Sequence, residues 1–91
     1  MIEIGKKLQS RREELKLTYD EISQITKLPV PHLKAIEAGN LDYFKDDLTY
    51  VRFYVARYCK AIDVPYVNFK DDVAGSVEDY TNTLTMKRKE Q

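Results

Sequence analysis

The stretch LTYDEISQITKLPVPHLKAIEAG, residues 17–39, has the spacing of a helix, a tight turn and a second helix. Thr18, followed three residues later by Glu21, forms a capping box in which each side chain accepts a hydrogen bond from an orphan amide. Pro29 ends this helix, because it lacks an amide hydrogen and its ring clashes with the preceding turn. Gly39 predicts a left-handed cap on the second helix. Two short helices so joined predict a helix-turn-helix, whose second helix in many proteins lies in the DNA major groove.

Apolar residues at helical spacing predict three more helices around this motif. We expect a first helix over about 3–16, a fourth over about 50–62 capped by Thr49, and a short fifth over about 65–73 that begins at Pro65. The residues expected to point inward are Ile4, Leu8, Leu15, Ile22, Ile25, Leu28, Leu33, Ile36, Val51, Val55, Tyr58, Ile62, Val67, Phe69 and Val73.

Length and composition favour one small all-α domain. The chain has 91 residues, of which 43% are apolar, and this is enough for a modest core. No segment alternates cleanly between apolar and polar residues, so we predict a five-helix fold. Gly75 is expected to close the domain at residues 1–75. Residues 76–91 are polar, and we expect this tail to be flexible and disordered because little apolar surface remains to offset its ordering entropy.

The charge of the chain is balanced, with 15 basic and 15 acidic residues, but it is unevenly distributed. Residues 18–48, which contain the helix-turn-helix, hold three basic and six acidic side chains. Residues 49–63, which contain the predicted fourth helix, hold three basic side chains and one acidic. A DNA-binding domain usually carries a basic excess where it meets phosphate. The segment that would enter a DNA groove therefore carries a net negative charge, which is the wrong sign for contact with phosphate.

The sequence offers little for catalysis. With one cysteine, Cys59, and one histidine, His32, it contains no plausible metal site and no nucleophile–histidine set. No glycine-rich loop is present to hold a phosphate. We therefore expect no enzyme activity, no metal and no cofactor. We also expect no signal peptide and no membrane span, since no run approaches the roughly 20 apolar residues a span needs.

The pattern Arg12…Leu17-Thr18…Glu21-Ile22…Ile36-Glu37…Gly39 resembles the phage-repressor, or XRE, class of helix-turn-helix proteins. That class pairs an arginine of the first helix with a glutamate of the third, which implies an ion pair between Arg12 and Glu37. Residues 3–73 are more similar to one branch, the cytoplasmic domain of RodZ-like cell-shape proteins. The segments that carry this resemblance are IGKKLQSRRE, ITKLPVPHLKAIEAGN and YVRFYVARYCKAI.

The RodZ-like resemblance implies an adaptor at the cytoplasmic face of the bacterial inner membrane. Such proteins bind filaments of the actin-like protein MreB through aromatic residues of the fourth helix and couple them to wall synthesis. By position these aromatics are Tyr54 and Tyr58. The basic run at residues 87–89 fits a juxtamembrane segment, with the membrane span itself outside this chain, or an ordinary solvated tail.

The base-reading positions of a repressor are poorly suited to that task here. They hold Tyr19, Val30, Pro31 and Ala35, with His32 and Lys34 beside them. Valine, proline and alanine cannot supply the paired hydrogen bonds that distinguish bases. We keep sequence-specific DNA binding by an XRE-class regulator as the alternative to the adaptor. A third possibility is a domain that only dimerises and so organises a membrane protein.

The fourth helix is the better candidate interface, although two arguments for its contact residues disagree. Periodicity places Tyr58 in the core stripe and Phe53 on the opposite, exposed side, whereas the resemblance nominates Tyr54 and Tyr58. Aromatic and arginine side chains together are typical of protein interfaces. The candidate partner-binding residues are Arg52, Phe53, Tyr54, Arg57, Tyr58 and Lys60.

Overall fold

The computed structural model describes the backbone of residues 1–89 and the side chains of residues 1–85. Over this range the chain is all-helical and contains five α-helices, as the sequence predicts. The α-helices are α1 (Ile2–Glu14), α2 (Tyr19–Thr26), α3 (Val30–Ala38), α4 (Val51–Ala61) and α5 (Lys70–Lys89), and three short 3-10 turns span Leu41–Phe44, Leu48–Tyr50 and Tyr66–Asn68.

The caps predicted for the helix-turn-helix are confirmed. The hydroxyl of Thr18 accepts from the amide of Glu21 at 3.1 Å, and the Glu21 carboxylate accepts from the Thr18 amide at 3.1 Å. Helix α3 ends at Ala38 and is capped by Gly39, whose φ of 66° lies in the left-handed region. These contacts satisfy backbone groups that a helix end otherwise leaves without partners.

The turn between α2 and α3 is held by side chains as well as by backbone. The buried hydroxyl of Thr26 donates to the Ile22 carbonyl at 2.8 Å and accepts from the Leu28 amide at 3.2 Å. The hydroxyl of Ser23 donates to the Leu28 carbonyl at 2.6 Å. Lys27 follows α2 with a φ of 63°, so a lysine occupies a left-handed position that glycine usually takes. Polar contacts on both sides therefore fix this turn.

All five helices contribute to one core. Its buried members are Ile4, Leu8, Ile22, Leu28, Leu33, Ala35, Ile36, Phe44, Val51, Val55, Tyr58, Cys59, Ile62, Phe69 and Val73. Helices α1 and α3 pack tightly against each other at Gly5. A Cβ at this position would lie 2.6 Å from the Ile36 carbonyl oxygen and closer still to that of Glu37. The hydrogen of glycine is thus what allows these two helices to pack.

Three residues expected in the core are exposed instead. Ile25 is 57% exposed, because the inward row of α2 runs through Ile22 and Thr26, and Ile25 lies about 100° away from Thr26 around the helix. Leu15 is 39% exposed, since α1 ends one residue before it. Val67 is 75% exposed and lies in a 3-10 turn rather than in the expected helix.

The C-terminal helices also begin and end differently from the prediction. Helix α4 follows the 3-10 turn Leu48–Tyr50 and has no side-chain cap, so Thr49 does not cap it. Pro65 precedes a 3-10 turn rather than opening an α-helix. Helix α5 begins at Lys70 and continues through Gly75 to Lys89, where we expected a frayed or disordered tail with at most one further helical turn at residues 76–79.

Long-range contacts explain why α5 continues past Gly75. The terminal ammonium of Met1 donates to the Ser76 hydroxyl at 3.1 Å, and the Tyr80 hydroxyl donates to the Asp42 carboxylate at 2.6 Å. Val77 packs against the core. The domain boundary at residue 75 stays a prediction, and the basic side chains of residues 87–89 lie outside the described residues. Within the described chain, no helix is both long and apolar enough to cross a membrane.

Candidate functional site

The carboxylate of Glu37 is the acceptor around which the first four helices meet. Arg12 donates to it through Nε at 2.7 Å and Nη2 at 3.3 Å, and the Tyr19 hydroxyl donates at 2.9 Å. The hydroxyl of Tyr58 donates to Oε2, the oxygen that also accepts from Arg12 Nε, whereas Tyr19 donates to Oε1. The Glu37 side chain is 4% exposed, so the structure brings together the ion pair that the repressor resemblance implies and adds two tyrosine donors to it. This arrangement neutralises a buried charge and is structural.

Tyr58 must be withdrawn as a partner-binding residue. It lies on the same face of α4 as Val51, Val55 and Ile62, and its side chain is fully buried. Burial and the hydrogen bond to Glu37 raise the pKa of its hydroxyl above the ordinary value. With its ring in the core and its hydroxyl bonded to a buried carboxylate, Tyr58 cannot contact a partner in this fold.

Two of the candidate base-reading residues are not available to contact DNA, because the Tyr19 hydroxyl is hydrogen-bonded within the fold and Ala35 is buried. The Tyr19 hydroxyl is bonded to Glu37, and the guanidinium carbon of Arg12 lies 4.3 Å from the centre of the Tyr19 ring. Burial, followed by the Glu37 hydrogen bond, raises the pKa of the Tyr19 hydroxyl. Ala35 is buried at 6% exposure, which corrects its nomination as a base-contacting residue. Its side chain faces the core because it shares the inward side of α3 with Ile36.

His32 belongs to an aromatic cluster rather than to a free surface. Its Nδ1 lies 3.0 Å from the hydroxyl of Tyr43, and its ring meets the rings of Phe44 and Tyr54 edge-on at 5.4 Å and 5.3 Å. The first residues of α3 add little, because Val30 is half-buried and Pro31 has no amide hydrogen.

Lys34 is the remaining polar candidate on α3. It is exposed, and its ammonium lies 5.5 Å from the centre of the Tyr19 ring. Among the candidate base-reading side chains, Lys34 is therefore the one that keeps exposed donors. A single lysine can contact phosphate but cannot by itself read a base sequence.

The outward side of α4 carries a second stripe, which consists of exposed aromatic and basic residues rather than buried apolar ones. Tyr50 and Phe53 are 55% and 50% exposed, and their ring centres lie 6.3 Å apart. The guanidinium carbon of Arg52 lies 4.9 Å from the centre of the Phe53 ring. A shallow groove of about 430 Å³ follows this side and is lined by Tyr50, Phe53, Tyr54, Ala56, Arg57 and Lys60. The structure therefore brings four of the six predicted partner-binding residues into one groove, with Arg52 beside it.

Tyr54 lies at the edge of this groove in a half-buried position. Its hydroxyl donates to the Asp47 carboxylate at 2.8 Å, and this hydrogen bond is the main reason why its pKa is raised. Its ring packs against Phe44 with the ring centres 5.6 Å apart. Tyr54 is thus half-buried with its hydroxyl already bonded, whereas Phe53 is 50% exposed.

Tyr50 and Ala56 line the groove although the sequence did not nominate them. Tyr50, Phe53, Arg57 and Lys60 are spaced i, i+3, i+7 and i+10, which is the pattern of one helix face. That second stripe was the available signal for Tyr50. Ala56 could be found only from the structure, because its small side chain matters through the space it leaves between larger neighbours.

The cations in and beside the groove form no ion pair within the described residues. Arg52, Arg57 and Lys60 are exposed. The ion pairs among the described residues join Arg11 to Glu14 and Arg12 to Glu37, so they involve none of these three. An exposed aromatic stripe flanked by free cations is suited to an acidic partner surface.

Elsewhere the described residues show little capacity for metal binding or nucleophilic chemistry. They contain no cluster of three histidine, cysteine or acidic side chains able to hold a metal ion. Cys59 is buried, and burial raises the pKa of its thiol to about 11. At neutral pH the thiol is therefore protonated and shielded, which is typical of a core residue.

Comparison with known proteins gives one match. A family model described as a helix-turn-helix domain matches residues 7–68, well over half of the chain. The matched range begins within α1 and ends in the turn Tyr66–Asn68, so it includes both the α2–α3 motif and α4. No curated protein and no solved structure matches the chain.

Proposed function

Because this chain belongs to the helix-turn-helix domain family, it carries a fold used for binding DNA or for binding other proteins, and we propose that it does the latter. In this proposal the chain is a RodZ-like adaptor domain. Its outward α4 face docks on a filament of the actin-like protein MreB at the cytoplasmic side of the bacterial inner membrane. The filament, the membrane location and the use of α4 come from the resemblance of residues 3–73, and the exposure of Tyr50 and Phe53 supports the outward side of α4 as the contact.

The observation that carries the proposal is the outward stripe of α4. Exposing Tyr50 and Phe53 side by side leaves a large aromatic surface in water, which is unfavourable unless something covers it. Clusters of aromatic residues with arginine at their edge are where interfaces concentrate their binding energy. Arg57 and Lys60 would then pair with carboxylates around that contact.

The side chains at the candidate base-contacting positions also favour protein binding over sequence-specific DNA binding. His32 is held among aromatic rings, Ala35 is buried, and Tyr19 is bonded to Glu37. The face that repressors place in the major groove is therefore left with Lys34 as its exposed polar donor. The surface better suited to bind a partner is the exposed aromatic groove on α4.

The test is co-sedimentation of the purified chain with polymerised MreB at physiological salt. We expect Phe53→Ala to raise the dissociation constant at least tenfold, since a central aromatic anchor typically contributes more than about 1.4 kcal/mol. The fold should survive, because Phe53 is half exposed and lies outside the core. Ile2→Ala is the matched control: Ile2 is also apolar and is 58% exposed, but it lies on α1. Unchanged binding by Phe53→Ala would reject α4 as the docking face.

DNA binding remains the second candidate, favoured by the family match and by the exposed ammonium of Lys34 on α3. In that case Lys34→Ala should weaken binding to duplex DNA and reduce the salt dependence of the affinity by about one phosphate contact. Amide shift mapping with a mixed duplex distinguishes the two. Saturable, micromolar shifts on residues 30–36 at physiological salt would favour DNA. Sedimentation of the chain alone at high concentration would show whether it simply dimerises.

A further inference from the structure

An apolar side chain is exposed beside α4 where the sequence predicts burial. Ile25, near the end of α2, is 57% exposed. It lines a second groove of about 480 Å³ together with Thr26, Lys27, Arg57, Lys60 and Ala61. Arg57 and Lys60 also line the α4 groove, so the two grooves adjoin along the same pair of cations. The surface on the outer side of α4 therefore continues onto the end of α2.

Lys27 lines this second groove from a left-handed backbone position, a conformation that Lys16 and Asp63 also adopt. It adopts a φ of 63°, a backbone conformation in which a side chain is disfavoured relative to glycine. Glycine would fit the turn better, yet the chain places a cation there. The side chain of Lys27 thereby joins those of Arg57 and Lys60 around one groove.

The cations of this groove have no acidic side chain as a partner among the described residues. Three cationic residues line it and none of its lining residues is acidic. None of the three belongs to an ion pair among the described residues. Grouping like charges opposes folding slightly, and an anionic partner would remove that repulsion.

From these observations we propose that the docking surface spans α2 and α4, and that it takes an acidic protein segment with an apolar side chain between its carboxylates. Ile25 and Phe53 would contact the apolar side chain, while Lys27, Arg57 and Lys60 would pair with the carboxylates. This inference rests on the proposed function, because the segment belongs to the same filament protein. It adds Ile25 and Lys27 as residues that determine specificity.

A protein segment fits this surface better than a nucleic acid backbone does. Phosphates would satisfy the three cations, but a duplex backbone is mostly polar and charged and would cover Ile25 less completely than an apolar side chain does. A protein segment can supply carboxylates and an apolar contact together. The exposed isoleucine is therefore the feature that favours protein.

The test uses Lys27→Gly in the filament co-sedimentation assay, with Lys16→Gly as its control. Lys16 is also an exposed lysine in the left-handed region, with a φ of 56°, but it lies in the α1–α2 turn away from both grooves. Glycine suits the backbone at both positions, so neither variant is expected to unfold the domain. We expect Lys27→Gly to weaken filament binding about five- to tenfold at low salt and Lys16→Gly to bind as the wild type does.

A second pair of variants tests the apolar contact. Ile25→Ser should weaken binding by a similar factor, and Ile2→Ser, which alters an isoleucine of nearly equal exposure on α1, should not. If Phe53→Ala weakens binding while Lys27→Gly and Ile25→Ser do not, the α2 extension is wrong and the α4 adaptor stands. If the wild-type chain does not bind the filament, both proposals fail. If Lys27→Gly weakens binding to duplex DNA but not to the filament, the groove binds nucleic acid and the extension is again wrong.

Discussion

Replacing Gly5 with alanine should destabilise the domain, although alanine is the better helix former. In an exposed helix the change from glycine to alanine gains about 1 kcal/mol. Gly5, however, faces α3, and an added Cβ would lie 2.6 Å from the Ile36 carbonyl oxygen, whereas ordinary contacts begin near 3.4 Å. The position of the Cβ is fixed by the α1 backbone and the carbonyl belongs to the α3 backbone, so neither can rotate away. Helix α1 would have to move away from α3 and loosen the packing of Ile4 and Leu8.

The size of the effect follows from these opposing contributions. Overpacking of a dense interior costs about 1–3 kcal/mol, and the high end applies where backbone meets backbone. After the gain in helix propensity is subtracted, Gly5→Ala should lower the free energy of unfolding by about 1–2 kcal/mol. For a domain of this size, that corresponds to a fall of roughly 4–16 °C in Tm.

Gly75→Ala provides the matched control, since Gly75 is also helical but a Cβ there would meet nothing within 4 Å. This variant should gain up to about 1 kcal/mol from helix propensity. Thermal and urea unfolding of both variants, followed by far-UV circular dichroism, measures the difference. A Gly5→Ala protein at least as stable as wild type would refute the close approach of α1 and α3.

Two further predictions concern the donors to Glu37. Arg12→Met removes the cation and leaves Glu37 buried with two tyrosine hydroxyls as its donors. The free energy of unfolding, measured by urea titration at neutral pH, should therefore fall by about 3 kcal/mol. A loss below about 1 kcal/mol would contradict a buried ion pair. Tyr58, with its raised pKa, keeps its proton in the folded state above pH 10.0, where the unfolded chain loses it. Its contribution is thus complete below pH 10 and declines at higher pH by at most about 1.4 kcal/mol per pH unit. Tyr58→Phe should flatten that alkaline decline, and an equally steep decline in the variant would argue against the assignment.

Local signals were enough to predict the helix-turn-helix and the core side of α4. The capping box at Thr18 and Glu21 and the left-handed Gly39 depend on residues a few positions apart, so the sequence contains them directly. The same is true of the stripe through Val51 and Ile62, since helical spacing places them together. The repressor resemblance added the contact between Arg12 and Glu37, which periodicity alone does not indicate.

The sequence did not predict features that depend on contacts between residues far apart in the chain. Helix α5 continues beyond Gly75 because Tyr80 reaches Asp42 and Met1 reaches Ser76, and neither contact leaves a local pattern. Ile25 was assigned to the core because three-residue spacing from Ile22 fits a helix face, but an eight-residue helix offers too few turns to locate its inward row. The core position of Tyr58 was one of two readings left open, and its contact with Glu37 decides between them.

The way in which Glu37 is shared has a consequence for how α4 presents its outer face. Donors from α1, α2 and α4 meet on one carboxylate of α3, so detaching any of these helices leaves a buried charge short of a partner. Opening any one of these helices therefore costs the loss of its contact with Glu37 in addition to its packing in the core. The α4 backbone has little conformational entropy left to lose when a partner arrives, and only side chains such as Phe53, Arg57 and Lys60 must still become ordered. Such preorganisation allows a contact of modest area to hold a partner, because most of the ordering was completed when the domain folded.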